Sequence, residues 1–195
     1  MRLVHLLGTA TAIVALAGAI TSPAEAFGGH YVFQGGTAQE RAQTTKALDA
    51  SSFDWGIVPE VVVIHLVRGV DSHALPGHIW IDTDLLNSGI FSWAVVQDEY
   101  AHQVDFLLFD DGIRADMNSA LGGKAWCHGD ATGLRHGDYG CERFSSTLVW
   151  SYWPSKHNSY RPTKRGDESA AMRAPKFRAL MSGLITQRFA FAATR

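Results

Sequence analysis

Residues 97–105 carry side chains that can bind a metal ion and move a proton. A helix turns by about 100° per residue, so Asp98 and His102 share one of its faces. Glu99 lies about a quarter-turn away, beside that pair, where a general base that deprotonates water belongs. Asp105 reaches the face of Asp98 and His102 one turn later. This spacing predicts a metal site served by a carboxylate base.

The segment around these polar residues is apolar, which predicts a largely buried helix. Carboxylates are costly to bury unless they are paired or bind a cation. A metal ion therefore accounts for the acids on this helix. The alternative is that Glu99 and His102 only form hydrogen bonds within a structural network. The apolar positions are Trp93, Val96, Tyr100, Val104 and Leu107.

Glu142 opens a later predicted helix and is the candidate for a third ligand. Catalytic zinc sites commonly use three protein ligands and leave one position open for water. A ligand from a second helix would complete such a site next to Asp98 and His102.

Residues 61–153 resemble the gluzincin type of zinc metallopeptidase, in which His-Glu-x-x-His is followed by a glutamate ligand on a later helix. Residues 99–105 are similar to the Glu-aromatic-Ala-His-x-x-Asp version of that helix in some bacterial zinc peptidases. Residues 142–145 are similar to the glutamate-x-Phe-small start of the ligand helix. Residues 78–82 resemble the edge strand along which an extended peptide substrate lies.

The resemblance implies that Glu99 is the general base and that His102 and Glu142 bind one Zn²⁺. It further implies a zincin-like α+β domain with a small mixed sheet, an active-site helix and a later ligand-bearing helix. The expected activity is hydrolysis of peptide or protein substrates through an activated water.

Asp98 stands where the first histidine of the family motif is expected. Its i, i+4 spacing to His102 suits a ligand, but its side chain is shorter than an imidazole. With Glu142 it would already neutralise Zn²⁺, so a bound water would be acidified less. We expect a weaker site with slower hydrolysis, or a preference for a harder ion. Histidines elsewhere that could replace the missing ligand are His65, His78, His128, His136 and His157.

Two other functions fit the same residues. One is a catalytically inactive pseudopeptidase that binds a partner or peptide, and the other is a structural domain of the cell envelope without metal. Asp105 either orients His102 or pairs with other groups nearby. Candidates to stabilise an oxyanion are Tyr139, Tyr152 and His157.

The secondary-structure pattern predicts a single α+β domain over residues 27–195. Residues 112–140, rich in glycine and polar residues, are expected to be mostly loop. Thr37 is the expected N-cap of the first helix. The predicted helices cover 37–50, 91–109, 142–153 and a stretch between Pro175 and Ala192, and the predicted strands cover 61–67 and 78–82.

The N-terminus has the pattern of a cleaved secretory signal. A basic start is followed by an apolar run from Leu3 to Ile20 and by Ala24-Glu25-Ala26. Cleavage would leave Phe27 first in a protein that is secreted or held in the cell envelope. No stable membrane insertion is expected after cleavage. The formal net charge of −2 and the lack of a basic tract argue against nucleic acid as a partner.

The cysteines are Cys127 and Cys141, both in the exported part of the chain. In an oxidising compartment they are expected to form a disulfide. The alternative is that they bind zinc, which would need further thiols or suitably placed histidines.

Overall fold

The structure is a computed structural model that describes residues 29–127 and 133–192. The predicted signal segment, residues 1–26, lies outside the described residues. The strands are β1 (Tyr31–Gly35), β2 (Val62–Val67), β3 (His73–Leu75) and β4 (His78–Asp82). The α-helices are α1 (Ala38–Asp49), α2 (Thr83–Asn87), α3 (Trp93–Leu108), α4 (Asp111–Leu121), α5 (Gly140–Tyr152) and α6 (Ala174–Ala192).

The strands form one mixed sheet in the order β1–β2–β4–β3. β1, β2 and β4 are parallel, and β3 runs antiparallel to β4. The expectation that residues 78–82 form an edge strand is therefore wrong, because β4 pairs on both sides and the edge strands are β1 and β3. The turn at Pro76-Gly77, where Gly77 has φ 76°, folds the three-residue β3 back onto β4. A strand this short leaves little alternation to detect in the sequence.

The two faces of the sheet differ because successive side chains of a strand point to opposite sides. Ile64 of β2 and Ile79 of β4 are buried in the hydrophobic core that the sheet shares with the helices. On the other face His65, His78 and Trp80 are exposed or half-buried. We call these three residues the outer histidine cluster.

α3 is the central helix, and its side chains from Val96 to Asp105 are buried. Gln97 fixes it to α1 by donating a hydrogen bond to Ala47 O at 2.7 Å. Gln103 holds the β3–β4 hairpin: it accepts from Gly77 N at 2.7 Å and donates to Leu75 O at 2.9 Å. The hairpin is thereby held against α3.

Most predicted elements are present. The predicted strands correspond to β2 and β4, and the predicted helices correspond to α1, α3, α5 and α6. Thr37 caps α1 as expected: its hydroxyl accepts from Glu40 N at 3.2 Å, and the Glu40 carboxylate accepts from Thr37 N at 2.6 Å.

The prediction that residues 112–140 are mostly loop is wrong where α4 lies. Asp110 begins this helix by accepting a hydrogen bond from Ile113 N at 2.9 Å. Gly122, with φ 70°, ends it. Ile113, Met117 and Leu121 recur at every fourth position, a helical period that the glycine-rich, polar composition of residues 112–140 obscured.

A disulfide joins Cys127 to Cys141, as the sequence predicts. It ties the segment after α4 to the first turn of α5. Both sulfur atoms are used in this bond, so the alternative in which the two thiols bind zinc does not apply to this structure.

The α+β class is confirmed: a small mixed sheet packs with helices around one main hydrophobic core. Among the described residues, no helix combines the length and apolar character needed to cross a membrane.

Candidate metal centre

Two helices bring Asp98, His102 and Glu142 together. Asp98 and His102 lie one turn apart on α3, and Glu142 lies in the first turn of α5. One donor atom from each lies within 4.8 Å of the others, and His102 Nε2 is 3.5 Å from Glu142 Oε2. All three side chains are buried. The residues predicted as metal ligands thus form one cluster.

Asp98 gives a direct test of whether this cluster suits a cation. Its Oδ2 accepts a hydrogen bond from the Tyr160 hydroxyl at 3.2 Å. Its Oδ1 is buried and makes no hydrogen bond of good geometry among the described residues, although the Ser145 hydroxyl is close enough to lower the pKa of Asp98. A buried carboxylate oxygen without a donor is costly, and a nearby cation would offset that cost. The donor set, with an imidazole and carboxylates, suits zinc.

The cluster opens into a cavity of about 360 Å³. Glu99 lies on its wall beside Asp98 and is 8% exposed, so it can reach a molecule in the cavity. The edge strand β3 and the residue before it contribute another wall. The remaining lining residues are Ser72, His73, Ala74, Val95, Phe106, Cys127, His136 and Tyr160.

His136 enters the site from a short 3₁₀ turn, His136–Asp138, just before α5. Its Nε2 is 3.1 Å from Glu142 Oε2, the same oxygen that His102 approaches. Its Nδ1 is 3.1 Å from Glu168 Oε2. Among the candidate replacement ligands that the structure describes, which are His65, His78, His136 and His157, it places only His136 beside Glu142.

Burial and like charges raise the pKa of the acids on α3. Burial raises the pKa of Asp98 to about 6, against the effect of His102 and in the same direction as that of Glu142. Burial also raises the pKa of Glu99 to about 8, and the neighbouring Asp98 charge adds to this rise. These carboxyl groups are thus ionised less readily than ordinary surface acids.

The pKa values of Glu142 and of the histidines around it shift so that the charged forms are favoured. Burial would raise the pKa of Glu142, but hydrogen bonds from His102 and His136 hold it far below its usual range. Burial lowers the pKa of His102, yet the Glu142 hydrogen bond and the Asp98 charge raise it to about 9. Hydrogen bonds to Glu142 and Glu168 raise the pKa of His136 to about 10. These shifts favour protonated imidazoles beside an ionised Glu142 carboxylate.

The other predicted site residues lie outside this cluster. Asp105 accepts hydrogen bonds from Arg114 Nε at 2.8 Å and Trp126 Nε1 at 3.1 Å, so the structure contains the pairing alternative. Tyr139, Tyr152 and His157 do not line the cavity. His128 lies outside the described residues.

Sequence reasoning missed Tyr160, which lies in the segment after α5 and reaches back to Asp98. No spacing signal connects two residues this far apart in the chain. Its place depends on Asn158, whose side chain accepts from Tyr160 N at 2.8 Å and donates to Trp153 O at 2.8 Å.

Comparisons of the chain with protein-family models, with curated proteins and with solved structures give no match.

Proposed function

We propose that this protein is an exported zinc-dependent hydrolase that cleaves peptide bonds, with a zincin-like fold of the gluzincin type. Zinc is bound at the cluster of Asp98, His102 and Glu142, and Glu99 is the general base. The proposal joins the resemblance of residues 61–153 to the geometry of the cavity.

One observation carries this proposal. Donor atoms of Asp98, His102 and Glu142 converge from two helices to within 4.8 Å, and these residues line one cavity together with Glu99. A structural hydrogen-bond network needs no cavity next to it. A hydrolase needs this space, because water and a substrate carbonyl must both reach the metal and the base.

Each group at the site has a separate role in the proposed hydrolysis. Zinc bound here would supply Lewis acidity, which lowers the pKa of water and polarises a carbonyl group. A cation bound beside Glu99 would lower its raised pKa, and the ionised carboxylate would then accept a proton from the attacking water and deliver it to the leaving amine. Tyr160 holds the Asp98 carboxylate in place through its hydroxyl. The buried surroundings strengthen each of these electrostatic interactions.

The substrate would lie along β3, the edge strand that lines the cavity. An edge strand has unpaired backbone groups that can pair with an extended peptide. β3 thereby takes the role that the resemblance implied for residues 78–82.

Export is part of the proposal, on the pattern of the first 26 residues. The Cys127–Cys141 disulfide supports it, because such bonds persist in oxidising compartments outside the cytoplasm. The final address is the medium or the cell envelope.

Turnover of a peptide library by the zinc-loaded protein tests the activity. Glu99→Gln keeps the size of the side chain and removes the base, so turnover should fall by about 10²–10⁴-fold with zinc still bound. Glu60→Gln is the matched control, since Glu60 is exposed and outside the cavity. Equal turnover in wild type and Glu99→Gln would contradict the mechanism.

A second candidate function is a pseudopeptidase that binds peptides or partners without cleaving them. It is favoured by the contacts of Glu142, whose carboxylate is already paired with His102 and His136. Such pairing stabilises the cluster without metal. Peptide binding with no turnover by the zinc-loaded wild type would favour this candidate.

A further inference from the structure

The centre has an unusual composition for a zinc hydrolase site. The cluster of Asp98, His102 and Glu142 contains one imidazole, whereas catalytic zinc sites of the peptidase kind use two histidines and a glutamate. Two carboxylate ligands already cancel the charge of Zn²⁺, which weakens its effect on water. A second neutral ligand would restore the usual set.

We propose that His136 is this second imidazole, so that His102, His136 and Glu142 bind the zinc ion while Asp98 lies beside it. This inference rests on the proposed metal site. It assigns a ligand that lies outside the Glu-x-x-His helix and is supplied by the turn before α5.

The first support is the distance pattern around Glu142. Two ligand atoms on one tetrahedral zinc ion are about 3.3 Å apart, given zinc–ligand bonds of about 2.0–2.1 Å. Glu142 Oε2 is 3.5 Å from His102 Nε2 and 3.1 Å from His136 Nε2. Both separations match those of neighbouring ligands.

The second support is the partner on the other nitrogen. Metal-binding histidines almost always give their second ring nitrogen to a carboxylate, carbonyl or water, which fixes the tautomer. His136 Nδ1 lies 3.1 Å from Glu168 Oε2. This leaves Nε2 directed at Glu142, as a ligand requires.

The third support is how firmly the turn is held. The Cys127–Cys141 disulfide closes the loop that contains His136. Arg143 Nε donates to Gly137 O at 2.7 Å, and Gly140 N donates to Ala125 O at 2.8 Å. The backbone at His136 is therefore fixed next to the site.

A small inward movement of the His136 side chain is required. The donor atoms that lie within 4.8 Å of one another belong to Asp98, His102 and Glu142, and His136 is not in that group. Its side chain is 60% exposed, so it has room to change rotamer. Shared contact with one Glu142 oxygen keeps this movement short.

Zinc K-edge X-ray absorption on the full mature protein, loaded with Zn²⁺ alone, counts the imidazoles on the metal. We expect two in wild type and one in His136→Ala. Zinc affinity, measured by competition with a chelator, should fall by more than the about 10–100-fold expected for loss of an outer partner. His157→Ala, an exposed histidine outside the cavity, is the matched control.

Glu168→Gln provides a second test that leaves His136 in place. It should lower zinc affinity by about 10–100-fold, while the number of imidazoles bound to the metal stays at two. One imidazole in wild type, with unchanged affinity in His136→Ala, would overturn the role of His136 and leave the metal site standing. Failure of wild type to bind zinc would instead overturn the metal site itself, and this inference with it.

Discussion

The metal centre and the outer histidine cluster both bring histidines close together, but their surroundings differ. In the outer cluster, His65 Nε2 is 3.0 Å from His78 Nδ1, and the His65 ring stacks on Trp80 with centroids 4.4 Å apart. In the centre, His102 and His136 both face the Glu142 carboxylate. Histidines alone therefore do not identify the site.

Because of this difference, the pKa of His65 and the pKa of His102 shift in opposite directions. Burial and the charge of His78 lower the pKa of His65. The carboxylates of the centre raise the pKa of His102 to about 9 in spite of burial. A positive charge on His65 is thus disfavoured, whereas the centre attracts one. The raised pKa favours a proton on His102, and a metal cation is the proposed replacement for that proton.

The sharpest test of this comparison removes one histidine from each cluster. His102→Ala should abolish stoichiometric zinc binding, because it removes a ligand from the buried centre. His65→Ala should leave about one zinc per chain, since the outer cluster has no part in the proposed site. Elemental analysis after dialysis measures both. Equal loss in the two variants would mean that the centre is not distinguished by its carboxylates.

Removal of the metal should have the next largest effect, a decrease in the stability of the folded protein. A ligand present at 100 times its Kd stabilises the folded state by about 2.7 kcal/mol. For a chain of this size, that corresponds to a rise in Tm of roughly 5–10 °C. Thermal unfolding followed by circular dichroism, with zinc and with a chelator, measures the shift.

The His65→Ala variant should keep this zinc-dependent shift, and Glu142→Ala should lose it. A shift that persists in Glu142→Ala would place the stabilising zinc outside the centre.

The local features of the fold could be predicted from the sequence, and the long-range ones could not. The capping box at Thr37 and the apolar period around Asp98 are local patterns, and both α1 and α3 are present. β3 is too short for a pattern, and α4 buries only two residues. β3 depends on its pairing with β4 and on Gln103, whereas α4 has local signals in Asp110 and Gly122 that the prediction did not use.

The same limit applies to the site. Asp98, Glu99 and His102 follow from the spacing within one helix, and Glu142 from the resemblance. The sequence offered His136 only as one of several histidines, since its position depends on the turn before α5 and on the disulfide. Tyr160 was missed for the same reason, because only the folded chain brings it to Asp98.

Asp98→His tests the centre by changing a carboxylate into an imidazole. We expect zinc to bind about tenfold tighter, a change of about 1.4 kcal/mol, because imidazole reaches farther and carries no negative charge. The gain should be larger in a His136→Ala background, where the new imidazole restores a missing ligand. Competition with a chelator measures both gains in zinc affinity, on wild type, the two single variants and the double variant. Absence of any gain would place Asp98 away from the metal.

Tyr160→Phe should have the smallest effect, because it removes only the hydrogen bond donated to Asp98 Oδ2. We expect zinc affinity to fall by about threefold, less than the about 10–100-fold seen for direct partners of metal ligands, because Tyr160 acts only through Asp98. Tyr31→Phe is the matched control: its hydroxyl donates to Thr45 on α1 at 3.1 Å, away from the centre. The control should lose about 1 kcal/mol of stability with zinc affinity unchanged.

If both tyrosine variants lowered zinc affinity equally, the effect would reflect general loosening of the fold. A loss of zinc affinity confined to Tyr160→Phe would instead show that Asp98 acts on the metal, because each variant differs from wild type by the loss of one tyrosine hydroxyl. The order of effects then distinguishes the roles of three residues at the centre. His102 binds the ion, Asp98 changes the net charge of the site, and Tyr160 acts only by positioning Asp98.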